Sequence, residues 1–273
     1  YKREEIKETL ASIAEQVLPK DIQIRVVVAD NDVEPTMRKE IEKTANKLGI
    51  ELTYVHAPSQ NISIARNACL SNCKTQWLAF IDDDETASKT WLSELYKTAL
   101  NENADVVLGP VESVYSNDAP NWIVKCDLHS TIPVFVDGVI ETGYTCNTLL
   151  NLGSEHLKNE MFDLALGKSG GEDTDYFSRV FKKGAKLKYA EKATVCEPVP
   201  TGRATLNWLA KRRFRMGQTY APTQYTAVSG KLFTAKFMLK AFSKFAFCSV
   251  MAILCCLYPS KRYSWFLRGC FHF

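Results

Sequence analysis

Apolar residues recur with two different periods along the first half of the chain, and the two periods alternate. "REEIKETLASIAEQ" places Ile6, Leu10 and Ile13 at a helical spacing, and the β-branched run "IQIRVVVAD" predicts a strand that ends at Asp30. Further helices are predicted for "PTMRKEIEKTANKLG", "NISIARNACLSNC" and "SKTWLSELYKTALNEN", and further strands for "IELTYVHA", "QWLAFID" and "ADVVLGPVESVY". This alternation predicts an α/β domain with a mostly parallel sheet and helices on both faces.

The pattern changes after this alternating region. Residues 116–145 are less regular and predict a loop-rich connection that runs into strands. "GGEDTDYFSRVFKKG" then predicts a Gly-Gly turn followed by a helix with acids in its first turn and Phe177, Val180 and Phe181 facing inward.

The last 45 or so residues form a segment of different character, which begins at about residue 230. Lys236, Lys240 and Lys244 lie on one predicted helical face, and sixteen uncharged residues separate Lys244 from Lys261. A membrane-spanning helix needs about 20 apolar residues, so this run favours an interfacial or re-entrant helix. We therefore predict a catalytic domain over residues 1–225 and a basic, apolar helical tail over residues 226–273.

Charge also divides the chain into an acidic part and a basic C-terminal part, with the change near residue 181. Residues 1–181 carry 17 basic and 29 acidic side chains, whereas residues 182–273 carry 17 basic and 2 acidic ones. A tail this basic predicts an anionic partner, namely a membrane surface, nucleic acid or phosphate groups. The nine cysteines are odd in number and form no C-x-x-C pair, which favours reduced thiols and a cytoplasmic location.

Four consecutive acids, Asp82 to Glu85, follow the predicted strand "QWLAFID". Ligands of open α/β sheets bind beyond the carboxyl ends of the strands, which predicts that these acids share one sheet edge with Asp30. Asp82 and Asp84 have the i, i+2 spacing with which two carboxylates hold Mg²⁺ or Mn²⁺ and a sugar diphosphate. An acidic triplet alone is more often a solvated loop than a metal site. The neighbouring sequence motifs are therefore needed to distinguish the two.

The surroundings carry a family resemblance. "YKREEIKETLASIAEQ", "VVVADND", "NISIARNACL", "WLAFIDDDE", "FDLALGKSGGEDTDYFSRVFKKG" and "RRFRMGQTY", in this order, resemble inverting family 2 glycosyltransferases of the GT-A fold. The chain looks most like the branch that builds exopolysaccharide or lipopolysaccharide. The resemblance extends from Tyr1 to about Tyr220 and implies a nucleotide-diphospho-sugar transferase fold whose first strand would precede Tyr1.

The resemblance also implies a role for individual residues. Asp173 would be the catalytic base with Glu172 beside it, and Asp84 with Asp82 would hold the Mg²⁺ or Mn²⁺. Thr145 and Asn147 would line the acceptor side. Contacts to the nucleotide-sugar are implied for Tyr1, Arg3, Asp30, Asn31, Arg66, Asn67, Asp82, Asp83, Arg212, Arg213 and Arg215.

Simpler roles stay open for several of these residues on the sequence alone. Glu172 and Asp173 suit the N-terminus of a helix, and Arg66 suits a structural salt bridge. Asn147 suits a turn, and the three late arginines suit a solvated helix face.

The function implied by the resemblance is a metal-dependent, inverting hexosyltransferase. It would move a sugar from a nucleoside-diphosphate sugar, favoured as a UDP-hexose, to a hydroxyl of a growing, lipid-linked saccharide. The enzyme would be peripheral or monotopic at the cytoplasmic face of the inner membrane, with no nucleic acid partner.

Two other functions compete with this one. "DDDET" also fits the D-x-D-x-T motif of haloacid-dehalogenase-type phosphatases, with Asp82 as the nucleophile and "GGEDTD" supplying magnesium acids. That motif normally ends the first core strand, whereas at least two strand-like segments precede it here. The other competitor is a catalytically inactive scaffold at the membrane surface, against which the intact acids argue.

Overall fold

The computed structural model of the chain describes residues 4–20, 22–223 and 231–272. Tyr1, Arg3 and the predicted domain boundary at residue 225 lie outside these residues. Contacts group the described residues into two compact units. The first contains the described residues up to Glu112 together with Ser130–Glu197, and the second contains Ser113–His129 and the described residues from Pro198 onward.

Helices and strands alternate through the first unit, as the periodicity predicts. Over the described residues of both units, the helices are α1 (Ile6–Ala14), α2 (Arg38–Leu48), α3 (Ile62–Asn72), α4 (Trp91–Asn101), α5 (Asn121–Cys126), α6 (Glu172–Lys182), α7 (Leu206–Thr223), α8 (Lys231–Leu254) and α9 (Pro259–His272). The strands are β1 (Arg25–Asp30), β2 (Glu51–His56), β3 (Trp77–Ile81), β4 (Thr86–Ala87), β5 (Val106–Leu108), β6 (Val111–Tyr115), β7 (Phe135–Val136), β8 (Val139–Ile140), β9 (Asn147–Asn151), β10 (Leu187–Tyr189) and β11 (Val195–Val199).

Strand pairs of both directions build the sheets of the first unit. β1 pairs with β2 in parallel, and a separate four-stranded sheet has the order β10-β5-β9-β3. β10 and β5 are parallel, whereas β9 lies antiparallel between β5 and β3. The sheet is therefore mixed, because β9 arrives from the irregular region after α5 and not through a helical crossover.

Helices cover both faces of the four-stranded sheet, as predicted. Side chains of successive strand residues point to opposite faces, so Val106 packs with Phe177 and Val180 of α6. Val107, its neighbour on β5, packs with Leu95 of α4 on the other face.

Two details differ from the sequence prediction. The strand predicted over 104–115 is broken into β5 and β6 at Gly109–Pro110, and the loop-rich region contains the short helix α5. Gly109 allows this break because a Cβ there would lie 2.3 Å from the Ala193 carbonyl oxygen.

The second unit is helical around its own core, which includes Ile123, Val199, Leu209 and Leu267. Leu267 belongs to α9, so the C-terminal helix is part of this core. α8 contains a window, Thr234–Leu254, with a mean hydropathy of 1.7, of which 6% is buried. By length and composition alone this helix is long and apolar enough to cross a membrane.

Candidate active site

The four acids form a tight turn between β3 and β4 that is supported from inside by its last member. Asp83 is exposed, whereas the Glu85 side chain is buried and accepts a hydrogen bond from the Asp82 main-chain N–H at 2.8 Å. Thr9 of α1 donates a hydrogen bond to the Asp83 main-chain oxygen at 3.0 Å. The turn is therefore fixed both by its own side chain and by α1.

Glu85 is a structural acid that the sequence analysis did not single out. Burial, followed by the neighbouring Asp82, raises the pKa of Glu85 to about 10, so its carboxyl group is neutral at pH 7. Its position three residues after Asp82 could have indicated this role, because an acidic side chain at that spacing can accept a hydrogen bond from the main-chain N–H of the earlier residue. Glu85 therefore adds no negative charge to the turn at pH 7.

The predicted metal and catalytic acids meet at one place in the first unit. The pKa of Asp82 is raised to about 7, mainly by burial; Arg66 lowers it, and the charges of Asp84 and Asp173 raise it. Arg66, Asp84 and Asp173 therefore each lie within electrostatic reach of Asp82. The structure thus brings together residues from the β3–β4 turn, α3 and α6.

Arg66 of α3 joins the two acids at the start of α6. Its Nη1 donates to Glu172 and to Asp173, and its side chain is largely buried over the Phe162 ring. Burial lowers the pKa of Arg66, but the carboxylates, Asp173 foremost, raise it by more. Both acids are engaged by Arg66, so helix capping alone does not account for them.

Asp173 is held from two sides and keeps part of its surface open. The Thr145 main-chain N–H and hydroxyl donate to its carboxylate at 3.3 Å, in addition to the bond from Arg66. Burial raises the pKa of Asp173, and Arg66 and Thr145 act in the other direction. Its side chain is 23% exposed, which leaves room for a hydroxyl group to approach.

Side chains of α3 also fix the loop that leads to α6. Asn67 bonds both the N–H and the oxygen of Phe162, at 2.8 and 2.9 Å. Asn61 and Ser63 donate to the main-chain oxygens of Leu164 and Asp163. These bonds account for Asn67 without a nucleotide, so its predicted nucleotide contact stays a prediction, and the sequence analysis missed Asn61 and Ser63.

The acceptor-side role predicted for Asn147 stays a prediction, and the structure places this side chain in a fully buried position. Its amide nitrogen donates to the Pro110 and Ala193 oxygens at 2.8 and 2.7 Å, and its oxygen accepts from Trp91 Nε1 at 2.7 Å. Thr145, whose acceptor-side role also stays a prediction, is only 1% exposed and donates its hydroxyl to the Asp173 carboxylate.

Replacing Asn147 by Ala is expected to lower the free energy of unfolding by roughly 3 kcal/mol or more, because three buried hydrogen bonds are lost and the Trp91 N–H and the Ala193 oxygen are left without the Asn147 side chain. Thermal or urea unfolding of the purified chain measures this. Asn151→Ala is the matched control on the same strand, because its side chain bonds Gln76 and Gly153 in an exposed setting. Equal losses for both variants would contradict the structural role of Asn147.

The other residues predicted to contact the nucleotide-sugar belong to other elements. Asp30 and Asn31 stand at the end of β1, whose two-stranded sheet is separate from the sheet of β3. The Asp30 carboxylate, at the end of β1, accepts from the Tyr54 hydroxyl and from the Asp32 N–H, and the Asn31 oxygen accepts from Gln60 N–H. Their contact with a nucleotide stays a prediction. Three further predicted residues lie on α7 in the second unit, where their role toward a diphosphate also stays a prediction: Arg212, Arg213 and Arg215.

A divalent cation fits the acids of the β3–β4 turn. Among the described residues no group of three or more His, Cys, Asp or Glu side chains could hold a metal by itself. Asp82 and Asp84 offer the hard oxygen ligands that Mg²⁺ and Mn²⁺ prefer, and the charges of Asp84, Asp173 and Asp83 all act on Asp82. A cation shared between these carboxylates and a substrate diphosphate suits this donor set.

Comparison with known proteins decides the family. Residues 1–160 match the family described as "Glycosyl transferase family 2". The succinoglycan biosynthesis protein ExoM of Rhizobium meliloti (strain 1021) is 45% identical over 272 residues, which are 100% of this chain and 88% of ExoM. The chain belongs to glycosyltransferase family 2. Membership of family 2 confirms the resemblance and sets the phosphatase alternative aside.

Solved structures confirm the GT-A fold of this family 2 glycosyltransferase. The mannosyltransferase PcManGT from Pyrobaculum calidifontis, in complex with GDP-Man and Mn²⁺, has a TM-score of 0.63 at 16% identity, over 98% of this chain and 83% of that one. S. aureus TarS 1-349 in complex with UDP has a TM-score of 0.55 at 16% identity, over 96% and 85% of the two chains.

Proposed function

We propose that this family 2 glycosyltransferase moves a hexose from a UDP-sugar to a hydroxyl group of a growing exopolysaccharide, with inversion at the anomeric carbon. The observation that carries the proposal is the position of Asp173. Its carboxylate is fixed by Arg66 and Thr145, is partly open, and lies within electrostatic reach of Asp82, on which Asp84 also acts. A base and a charged diphosphate site are thus combined in one cluster.

Asp173 acts as the general base in this proposal. It takes the proton of the acceptor hydroxyl while that oxygen bonds to the anomeric carbon, and the bond from this carbon to the diphosphate oxygen breaks. The electron pair of the broken bond leaves with UDP. Because attack and departure occur on opposite faces of the sugar, one displacement inverts the anomeric configuration.

Arg66 and Thr145 keep the base in the state that this chemistry needs. Burial raises the pKa of Asp173, and Arg66 and Thr145 oppose this effect and so favour the carboxylate form that a base needs. Their contacts also hold the carboxylate in one orientation, which a near-attack geometry requires. A cation held by Asp82 and Asp84 would supply positive charge to the departing diphosphate.

The donor and acceptor classes rest on the relatives. One structural neighbour carries UDP and another carries GDP-Man with Mn²⁺, which supports a nucleotide-sugar donor and a divalent cation for this chain. ExoM is named for succinoglycan biosynthesis, and at 45% identity this supports an exopolysaccharide acceptor. The exposed apolar helix α8 and the basic tail support work at the cytoplasmic face of the inner membrane, on a lipid-linked acceptor.

A panel of UDP-, GDP- and ADP-hexoses tests the proposed activity without the acceptor in hand. We expect slow, metal-dependent release of UDP from a UDP-hexose, which a chelator stops, and no inorganic phosphate. Release of phosphate would favour phosphatase chemistry at Asp82. A chain that releases no nucleotide from any donor, with or without polysaccharide fragments, would favour the inactive scaffold.

A further inference from the structure

A cleft of about 420 Å³ lies between α8 and α9 in the second unit. Its lining residues follow the proposed general base Asp173 by 70 or more positions in the sequence. Its lining combines cationic and aromatic side chains with a hydroxyl: Lys244, Arg268, His272, Phe247, Trp265 and Ser243. The residues recur at three- and four-residue spacings on both helices, so each helix turns one face toward the cleft.

The walls of the cleft are fixed by contacts between the two helices. Gly269 of α9 packs against Cys248 of α8, and a Cβ on it would make an ordinary van der Waals contact at 3.5 Å from the Cys248 Cβ. Phe247 meets the edge of Trp265 with the ring centroids 5.6 Å apart, and the Arg268 guanidinium lies 4.9 Å from the centroid of the Trp265 ring. The aromatic pair therefore positions Arg268.

The positive charges around the cleft have no Asp or Glu side chain near them in sequence. From Pro198 to Phe273 the chain has twelve Lys and Arg residues and no Asp or Glu. Burial, and then Arg212 and Arg268, lower the pKa of Arg213 on α7, and burial, then Lys244, lower the pKa of His272. These cations thus repel one another, and an anion placed among them would relieve that repulsion.

Exposed apolar side chains on the helix that carries Lys244 point to the source of the anion. α8 exposes Phe242, Val250 and Leu254, and the connection to α9 exposes Leu257, which is 84% accessible. Exposed large apolar side chains on the same helix as a cationic cleft suit an amphiphile, because a soluble anion would leave them in water.

We propose that this cleft binds the phosphate headgroup of a membrane lipid, with Lys244 and Arg268 as its main ligands. Arg268 offers a planar fork of N–H donors for phosphate oxygens, and Lys244 offers a compact charge on the other helix. The exposed apolar residues of α8 would enter the acyl region beside the bound headgroup. This inference rests on the membrane association proposed above and adds a defined headgroup site to it.

The test compares two double variants of the full-length chain that lose the same charge. Lys244→Gln/Arg268→Gln removes the proposed ligands, whereas Lys240→Gln/Lys261→Gln removes one cation from each of the same helices outside the cleft lining. Flotation with phosphatidylcholine vesicles containing phosphatidic acid measures binding. We expect the first pair to weaken binding roughly tenfold more than the second, since a charge-assisted site exceeds diffuse attraction.

Three outcomes overturn the inference. Equal losses in the two double variants would reduce the cleft to diffuse surface charge. Complete release of the wild-type chain by millimolar inorganic pyrophosphate, together with no preference for phosphatidic acid over phosphatidylglycerol, would make the ligand a soluble phosphate. A wild-type chain that ignores all vesicles at low salt would remove the lipid altogether.

Two further measurements distinguish a loss of lipid binding from a loss of catalysis and from misfolding. UDP release from a UDP-hexose by the same samples reports on the catalytic proposal, which stands or falls independently of vesicle binding. Circular dichroism and the melting temperature check that each variant is folded, and Arg268→Lys provides a milder second variant. Substitutions are used because deletion of the tail would take Leu267 out of the core of the second unit.

Discussion

An Asp173→Asn enzyme is expected to bind its UDP-sugar normally and to turn it over roughly 10²–10⁴-fold more slowly, the usual contribution of a general base. The amide keeps the size of the side chain and can still meet Thr145, but it cannot accept the proton of the acceptor hydroxyl. Steady-state UDP release gives kcat, and calorimetry with UDP gives the dissociation constant.

The matched control for this variant is Asp175→Asn in the same helical turn. Asp175 pairs with Arg179 at 2.8 Å and belongs to neither the Arg66 nor the Thr145 contacts, so its loss should change kcat little. Full activity of Asp173→Asn would return Asp173 to a structural role at the start of α6. A loss of donor affinity equal to the loss of kcat would instead make it a binding residue.

Asp84→Ala is expected to abolish the metal-dependent part of UDP binding. The site has two predicted carboxylate ligands, and removal of one takes away much of the charge that attracts a divalent cation. Titration calorimetry with UDP, with and without Mn²⁺, separates the metal-dependent affinity from the rest.

Glu155→Ala serves as the control for Asp84→Ala, because it removes an exposed carboxylate from the same unit that pairs only with Lys158 in the described structure. It should leave the effect of Mn²⁺ on UDP affinity intact. If Asp84→Ala kept the full Mn²⁺-dependent affinity, Asp84 would not be a metal ligand. The acids of the turn would then act through their charge alone.

The alternating elements of the first unit could be predicted because each is local. The apolar spacing of Ile6, Leu10 and Ile13 in α1 and the β-branched run of β1 depend only on neighbouring residues. The place of β9 could not be predicted in the same way, because its antiparallel partners lie about 40 and 70 positions earlier in the chain. A mostly parallel sheet was therefore expected and a mixed one is present.

The candidate site was likewise predicted only in part from the sequence. The i, i+2 spacing identified Asp82 and Asp84, and the family resemblance identified Arg66 and Asp173; the structure brings them together from three elements. Neither the spacing nor the resemblance identified the environment of each side chain. Asn147 is buried because Trp91, Pro110 and Ala193 close around it, and none of these partners is near it in sequence.

Burial likewise distinguishes the four consecutive acids, which look alike in the sequence. Glu85 turns inward and is neutral, whereas Asp83 faces solvent. The charge that a cation would meet is therefore set by the fold of the turn and not by the number of acids.

The central claim is that this site performs a single displacement at an anomeric carbon, and the configuration of the released sugar tests it most directly. The measurement is ¹H NMR of the first sugar formed when the enzyme, with Mn²⁺, hydrolyses the UDP-α-hexose that it accepts, recorded before mutarotation equilibrates the anomers. We predict that the β-hexose appears first, together with UDP. An initial α-hexose, or inorganic phosphate in place of UDP, would contradict the account.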